Sequence, residues 1–162
     1  MRCGTRLAGV ALPRPLHTPL DDPLPSAHWT TEVLRSGGAP HLFTFPSSAV
    51  RLCQEAFDRG IDLCGAHLLL SGEPIMEARL ATIRRARAEA LPRYGSVDCG
   101  PMGYGCVAPQ APDDVHLLHD LHALIQPSGL RENAQELTAE ALFLSALHPA
   151  APFIMPNVSL GG

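Results

Sequence analysis

The sequence contains no lysine: all twelve of its basic residues are arginine. No side chain of these residues can therefore form a Schiff base, and any cation offered to a phosphate or carboxylate must be a guanidinium. Long apolar runs are also missing. No stretch approaches the roughly 18 uninterrupted apolar residues of a membrane span, so no membrane partner is expected. Residues 1–12 carry Arg2 and Arg6 before a short apolar run that Pro13 interrupts, too brief for an export signal. The five cysteines (Cys3, Cys53, Cys64, Cys99 and Cys106) are odd in number and lack paired CxxC spacing. They read as thiols of a reducing, cytoplasmic compartment. A net charge near −4 offers no basic face for nucleic acid. No internal repeat is visible, and the Gly-x-Ser-x-Gly pattern of a nucleophile elbow is absent around Ser71.

What is present is organised around residues 69–105. A short apolar run ends in Ser71-Gly72-Glu73-Pro74, a helical Arg/Ala-rich segment follows, and a second short run leads into Tyr94-Gly95-Ser96-Val97-Asp98 and further glycines. The order is strand, turn, helix, strand, glycine-punctuated loop, a β-α-β unit. In open α/β sheets the loops at the carboxyl ends of parallel strands meet in one crevice, where ligands bind. Both polar loops fall at such ends.

Elsewhere the pattern divides in two. Residues 1–28, with Pro13, Pro15, Pro19, Pro23 and Pro25, read as an extended lead-in without stable helix, and 29–162 as the domain proper. Residues 29–34 predict a short helix capped by Thr30 or Thr31, and 41–45 a strand. Residues 49–59 predict a helix capped by Ser47 or Ser48, with Val50, Cys53, Ala56 and Phe57 on its apolar face. A strand over 66–70 and a helix over 77–88 follow. Leu80 and Ile83 face inward there, and Arg84, Arg85 and Arg87 make a solvated cluster. Strands are then expected over 105–108, 115–118, 121–126, 141–147 and 153–158, with a polar loop over 127–138.

Taken in order, Gly72-Glu73-Pro74, Tyr94-Gly95-Ser96-Val97-Asp98 and the downstream Val115-His116-Leu117-Leu118-His119-Asp120 resemble the adenylate-forming superfamily of acyl-CoA synthetases and AMP-binding ligases. The nearest likeness is to its phenylacetate-CoA ligase-like branch, over residues 40–160. The resemblance implies an α/β fold, part of the large N-terminal domain, with a β-α-β layer followed mostly by strands. It implies ATP and Mg²⁺ as cofactors, and a carboxylic acid and a thiol such as CoA as partners. The acid attacks the α-phosphate of ATP to give an acyl-adenylate, and the thiol then displaces AMP. By the same resemblance Gly72, Glu73 and Pro74 line the adenine slot and Tyr94 stacks on or flanks the base. Gly95 and Ser96 shape the turn beside ribose and α-phosphate, and Asp98 holds Mg²⁺. Val97 stands where the family has threonine, and Asp98 where it has glutamate. The family's Ser/Thr/Gly-rich phosphate loop, its ribose-gripping aspartate motif and its lysine-bearing C-terminal domain have no counterpart here. The expectation is an internal fragment, inactive alone or completed by the missing parts of the ligase. The alternative is a non-catalytic nucleotide- or partner-binding remnant.

Two further possibilities arise from single residue types. Cys99, Cys106, His116, His119 and His122 fall within positions 99–122, and Cys106 with His116 are candidate Zn²⁺ ligands. If the chain runs straight, His116 and His122 share a strand face. Phe43, Phe45, Met102 and Tyr104 are candidates for the acyl pocket and equally for the core.

Overall fold

The computed structural model describes residues 18–97, 99–106, 108–112, 114–125, 131–132, 135–136, 142–147 and 158–160. Three helices, α1 (Leu24–Arg35), α2 (Pro46–Asp58) and α3 (Glu77–Arg85), alternate with β1 (His41–Thr44), β2 (His67–Leu70) and β3 (Glu89–Ser96). Strands β1, β2 and β3 are parallel, in register His41, His67, Glu89 through Thr44, Leu70, Pro92. Beyond β3 the sheet turns antiparallel with β4 (Gly100–Gly105) and β5 (Val115–Leu117), giving five strands in the order β1-β2-β3-β4-β5. A three-stranded antiparallel sheet holds β6 (His122–Ile125), β9 (Leu142–Ala146) and β10 (Val158–Leu160), and β7 (Arg131–Glu132) pairs with β8 (Gln135–Glu136). The mixed α/β fold expected from the alternating pattern is the one found.

The core lies between the helices and one face of the parallel strands. Leu68 and Leu70 of β2 are fully buried against Ala49, Leu52, Cys53 and Ala56 of α2 and Leu80 and Ile83 of α3. The inward stripe of α2 thus runs 49, 52, 53, 56, a regular helical spacing, turned one residue from the expected face. Val50 is half-buried and Phe57 is exposed, its ring covered by the Arg85 guanidinium at 3.7 Å. The arginine cluster is a solvated face as expected. Arg84 pairs with Glu77 and Arg87 with Asp62, all well exposed, where such pairs contribute little. Helix α3 stops at Arg85, short of residue 88, because Arg87 adopts φ +62° and turns the chain into β3.

Helix α1 begins at Leu24, inside the stretch read as extended. Pro23 is its N-cap and Pro25 lies in its first turn, where a missing N–H costs no helical hydrogen bond. Thr30 and Thr31 sit inside the helix and donate their hydroxyls to the carbonyls of Ser26 and Ala27. Among the described residues no helix is long and apolar enough to cross a membrane.

Cys53 is 1% exposed, and burial pushes its thiol up to about 12. The thiolate is the reactive form. At mildly alkaline pH a thiol reagent is therefore expected to label exposed Cys64 long before Cys53. Time-resolved mass spectrometry of labelled peptides reads this out, and simultaneous modification would contradict the packing.

Candidate functional site

A loop and a strand end meet at the carboxyl ends of adjacent parallel strands. Ser71 to Pro74 follow β2, and Tyr94, Gly95 and Ser96 finish β3. Both run along one cavity of about 760 Å³, floored by Met102, Gly103, Leu117 and Leu124. Gly72, Glu73, Pro74, Tyr94 and Gly95 all line it, and Arg93 is the arginine of that lining. The structure thus brings five of the eight expected nucleotide-site residues to a single wall.

Gly72 has φ +86°, and a Cβ there would lie 2.7 Å from the Phe45 ring. Only glycine takes this conformation without strain, and its missing side chain leaves room for the Phe45 ring to pack against the turn. Glu73 turns its carboxylate to the start of α2. Its Oε1 accepts from the Ser47 hydroxyl at 2.7 Å, and its Oε2 from the Ser47 N–H at 3.0 Å and Arg79 Nη1 at 2.8 Å. Neither Ser47 nor Ser48 caps the helix with its own side chain, and Phe45 occupies the N-cap position. The cap arrives from 26 residues away, which no local pattern reveals.

The Ser47 hydroxyl, chiefly, holds the Glu73 carboxyl below the usual carboxylate range; partial burial opposes this, and the Ser47 N–H and Arg79 reinforce it. A carboxyl lowered in the folded state stabilises it at pH above the unfolded value, about 4.3. That contribution disappears as pH falls through the folded value. Glu73→Gln is therefore expected to melt below the wild type at neutral pH, the gap closing in acid. Melting curves of both proteins over pH measure it; a gap constant with pH would contradict the assignment.

The glycine-punctuated stretch is a β-hairpin, not a loop. Tyr94 pairs with Gly103 and Gly95 with Pro101, with an irregularity between Tyr94 and Gly95. Glycines at 95, 103 and 105 let the strands approach where any Cβ would meet backbone or a proline ring. That composition hides the hairpin from propensity-based reading. Tyr94 remains 42% exposed at the cavity. The Ser96 hydroxyl accepts the Cys99 N–H at 3.0 Å and so holds the hairpin turn. Val97 is fully exposed. Asp98, the expected Mg²⁺ ligand, lies outside the described residues.

The two strands expected over 115–118 and 121–126 form as β5 and β6, but the chain does not run straight between them: β5 belongs to the five-stranded sheet and β6 to the three-stranded one. His116 is consequently exposed on β5, whereas His122 is 5% exposed on β6. His122 donates from Nε2 to the Pro101 carbonyl at 3.0 Å and so ties the second sheet to the hairpin opposite Gly95. Its buried Nδ1 has no partner among the described residues. Among the described residues no three His, Cys, Asp or Glu side chains converge on a point that would hold a metal, Cys106 and His116 included. Of the acyl-pocket candidates, Met102 is buried in the cavity floor, Phe43 and Phe45 line a different cavity, and Tyr104 is exposed on β4.

No protein-family model and no curated protein sequence matches the chain. Solved structures do. An open conformation of 2-hydroxyisobutyryl-CoA ligase, in complex with 2-HIB-AMP and CoA, superposes with a TM-score of 0.58 at 17% identity, over 83% of this chain and 32% of that one. The Klebsiella oxytoca NpsA N-terminal subdomain, in complex with 3-hydroxyanthranilyl-AMSN, gives 0.50 at 13% identity, over 94% and 34%. The chain thus shares its fold with part of each of these two proteins and spans about a third of their length.

Proposed function

We propose that the cavity between the Gly72 loop and the Tyr94 hairpin binds the AMP moiety of ATP and of an acyl-adenylate. On this reading the chain supplies part of the site of an AMP-forming acid–thiol ligase of the phenylacetate-CoA ligase-like branch. The observation that carries it is the convergence of the Gly72 loop and the Tyr94 hairpin on one cavity at the carboxyl ends of β2 and β3, the position where open α/β sheets hold nucleotides. The fold shared with two proteins solved with an adenylate or adenylate-like ligand supports the same reading.

The residues fit a nucleotide in specific ways. Gly72 lines the cavity, and Tyr94 offers an exposed ring there for stacking a flat base. Arg93 lines the same cavity, with its guanidinium 5.2 Å from the Phe43 ring centroid. In the first step a carboxylate oxygen attacks the α-phosphorus and pyrophosphate leaves. In the second a thiol, as of CoA, attacks the acyl carbon and AMP leaves. Both steps pass through concentrated negative charge that needs preorganised cations. Arg79 is committed to Glu73 and the sequence holds no lysine, so the remaining cation is assigned to residues outside this sequence. Mg²⁺ would screen the phosphates when bound, with Asp98 as its proposed ligand. Zn²⁺ has no role in this reading. A reducing, cytoplasmic setting is part of this reading.

This lysine deficit favours a chain that binds nucleotide but is silent in catalysis until completed in trans. The test is AMP titration followed by amide NMR, run beside ATP–pyrophosphate exchange. Shifts confined to Gly72, Glu73, Tyr94 and Gly95, without exchange, are expected. A folded chain that leaves these amides unmoved at millimolar AMP would overturn the reading.

A further inference from the structure

We infer that His41 of β1 and His67 of β2 form a site for a divalent cation of the zinc, nickel and copper class, with Glu89 of β3 behind them. The site lies on the sheet face turned away from the helices and rests on no part of the nucleotide reading.

The three residues open β1, β2 and β3 and stand in register across the parallel strands. Side chains alternate between the two faces of a strand. Leu68 belongs to the core and Leu42 and Ala90 pack against it, so the residues just before them share the opposite face. The nucleotide cavity is at the other end of these strands. Strands of four residues such as β1 and β2 place the two ends about 10 Å apart.

The two imidazole rings stack, with centroids 4.7 Å apart and planes 12° from parallel. Stacking uses no lone pair, and a neutral imidazole nitrogen is a good ligand for borderline cations. His41 is exposed, and its ring nitrogens have no hydrogen-bonding partner among the described residues. His67 is half-buried, and its Nδ1 lies 3.0 Å from Glu89 Oε2. A carboxylate at that nitrogen draws the ring proton to it and leaves Nε2 as a lone-pair donor, the arrangement that orients metal-bound histidines. Two nitrogens on one tetrahedral ion stand about 3.4 Å apart, so the stack must open to hold it. The second side-chain torsion of histidine is broad, and exposed His41 has room to turn. Water completes the shell. With two protein ligands, the site accords with the absence of any three-residue metal cluster among the described residues.

The neighbouring charges leave the site clear. Arg87 is held by Asp62 at 3.0 Å, and Arg93, four residues beyond Glu89, lies over the Phe43 ring. Mg²⁺ and Ca²⁺, which take shells of oxygen, find a single carboxylate here. Strand β1 is the edge of the five-stranded sheet and pairs only with β2. An ion ligated from both strands fastens that edge, so its role is structural.

The full chain is titrated with zinc chloride and followed by long-range proton–nitrogen spectra of the imidazole rings and by thermal melting. The His41 and His67 ring signals are expected to shift together and saturate, and the melting temperature to rise with zinc by mass action. Magnesium chloride should do neither. His41→Ala, at an exposed position, is expected to melt with the wild type in the absence of metal and to lose the rise that zinc produces. Glu89→Gln keeps both ligands and should weaken zinc binding about 10- to 100-fold, the worth of an outer partner to a ligating histidine. Zinc taken up with these two rings unmoved is adventitious binding elsewhere and overturns the inference. So does a His41→Ala chain that holds zinc as tightly as the wild type, or a folded wild type whose ring signals never saturate.

Discussion

Replacing Gly95 with alanine is expected to destabilise the protein by about 2–3 kcal/mol, as overpacking against an unyielding neighbour does. For a chain of this size that lowers the melting temperature by about 5–10 °C. The added Cβ would lie 2.5 Å from the Gly100 carbonyl oxygen and 3.2 Å from Pro101 Cα. Both atoms belong to the backbone of the opposing strand, so neither can rotate away. The hairpin would have to open at the irregular step between Tyr94 and Gly95, where it flanks the cavity and where His122 fastens Pro101 from behind. Loss of AMP binding should accompany the loss of stability. Gly100→Ala is the control. Gly100 has φ +73°, and a Cβ added there would meet nothing within 4 Å, so its cost is conformational alone, about 1 kcal/mol. Equal costs at the two positions, by thermal and urea melts, would refute the close-approach account.

How much of the fold is legible in the sequence depends on how local the determinant is. β1, α2, β2, α3 and the first half of β3 announce themselves, because each is an apolar run or helical stripe bounded by proline or glycine. Leu68, Leu70, Leu80 and Ile83 are core residues by that pattern and core residues in fact. Legibility fails where a distant partner decides the outcome. The pattern at the start of α2 points to Ser47 or Ser48 as its cap, yet the cap is the Glu73 carboxylate. Helical spacing points Phe57 inward, yet α3 supplies a guanidinium that covers its exposed ring. The β4 strand is hidden because glycine, the residue that allows its close pairing, is also the residue that signals a loop.

The site divides along the same line. Gly72 and Tyr94 are legible because turn glycines and an aromatic at a strand end carry their chemistry in their own sequence context. His122 is not: its burial follows from the break between β5 and β6, which transfers it to another sheet. Its location behind Pro101 makes the three-stranded sheet a support for the hairpin. The Gly-Glu-Pro turn likewise joins two tasks, since Gly72 lines the cavity while the Glu73 side chain anchors the turn to α2 and Arg79. Anchoring of that kind holds the cavity wall in place before any ligand arrives, which lowers the ordering cost of binding.

Tyr94→Ala is expected to weaken AMP binding by roughly 5- to 150-fold, the equivalent of about 1–3 kcal/mol of base–aromatic stacking. The ring lies at the end of β3 on the cavity wall, 42% exposed, and its cross-strand partner Gly103 has no side chain to fill the space beside it. A planar base can therefore cover the ring without displacing a neighbour. Little folding energy depends on a side chain so exposed, so the variant should melt close to the wild type. Tyr94→Phe keeps the π-face and should bind AMP nearly as well as wild type; the hydroxyl then has no part in recognition. Ribose 5-phosphate, which has the sugar and phosphate but no base, isolates the effect further, because its affinity should be the same for the wild type and for Tyr94→Ala. Calorimetric titration of the three proteins with both ligands decides it. A Tyr94→Ala protein that holds AMP as tightly as the wild type would place the base elsewhere and leave the exposed ring without the role assigned to it.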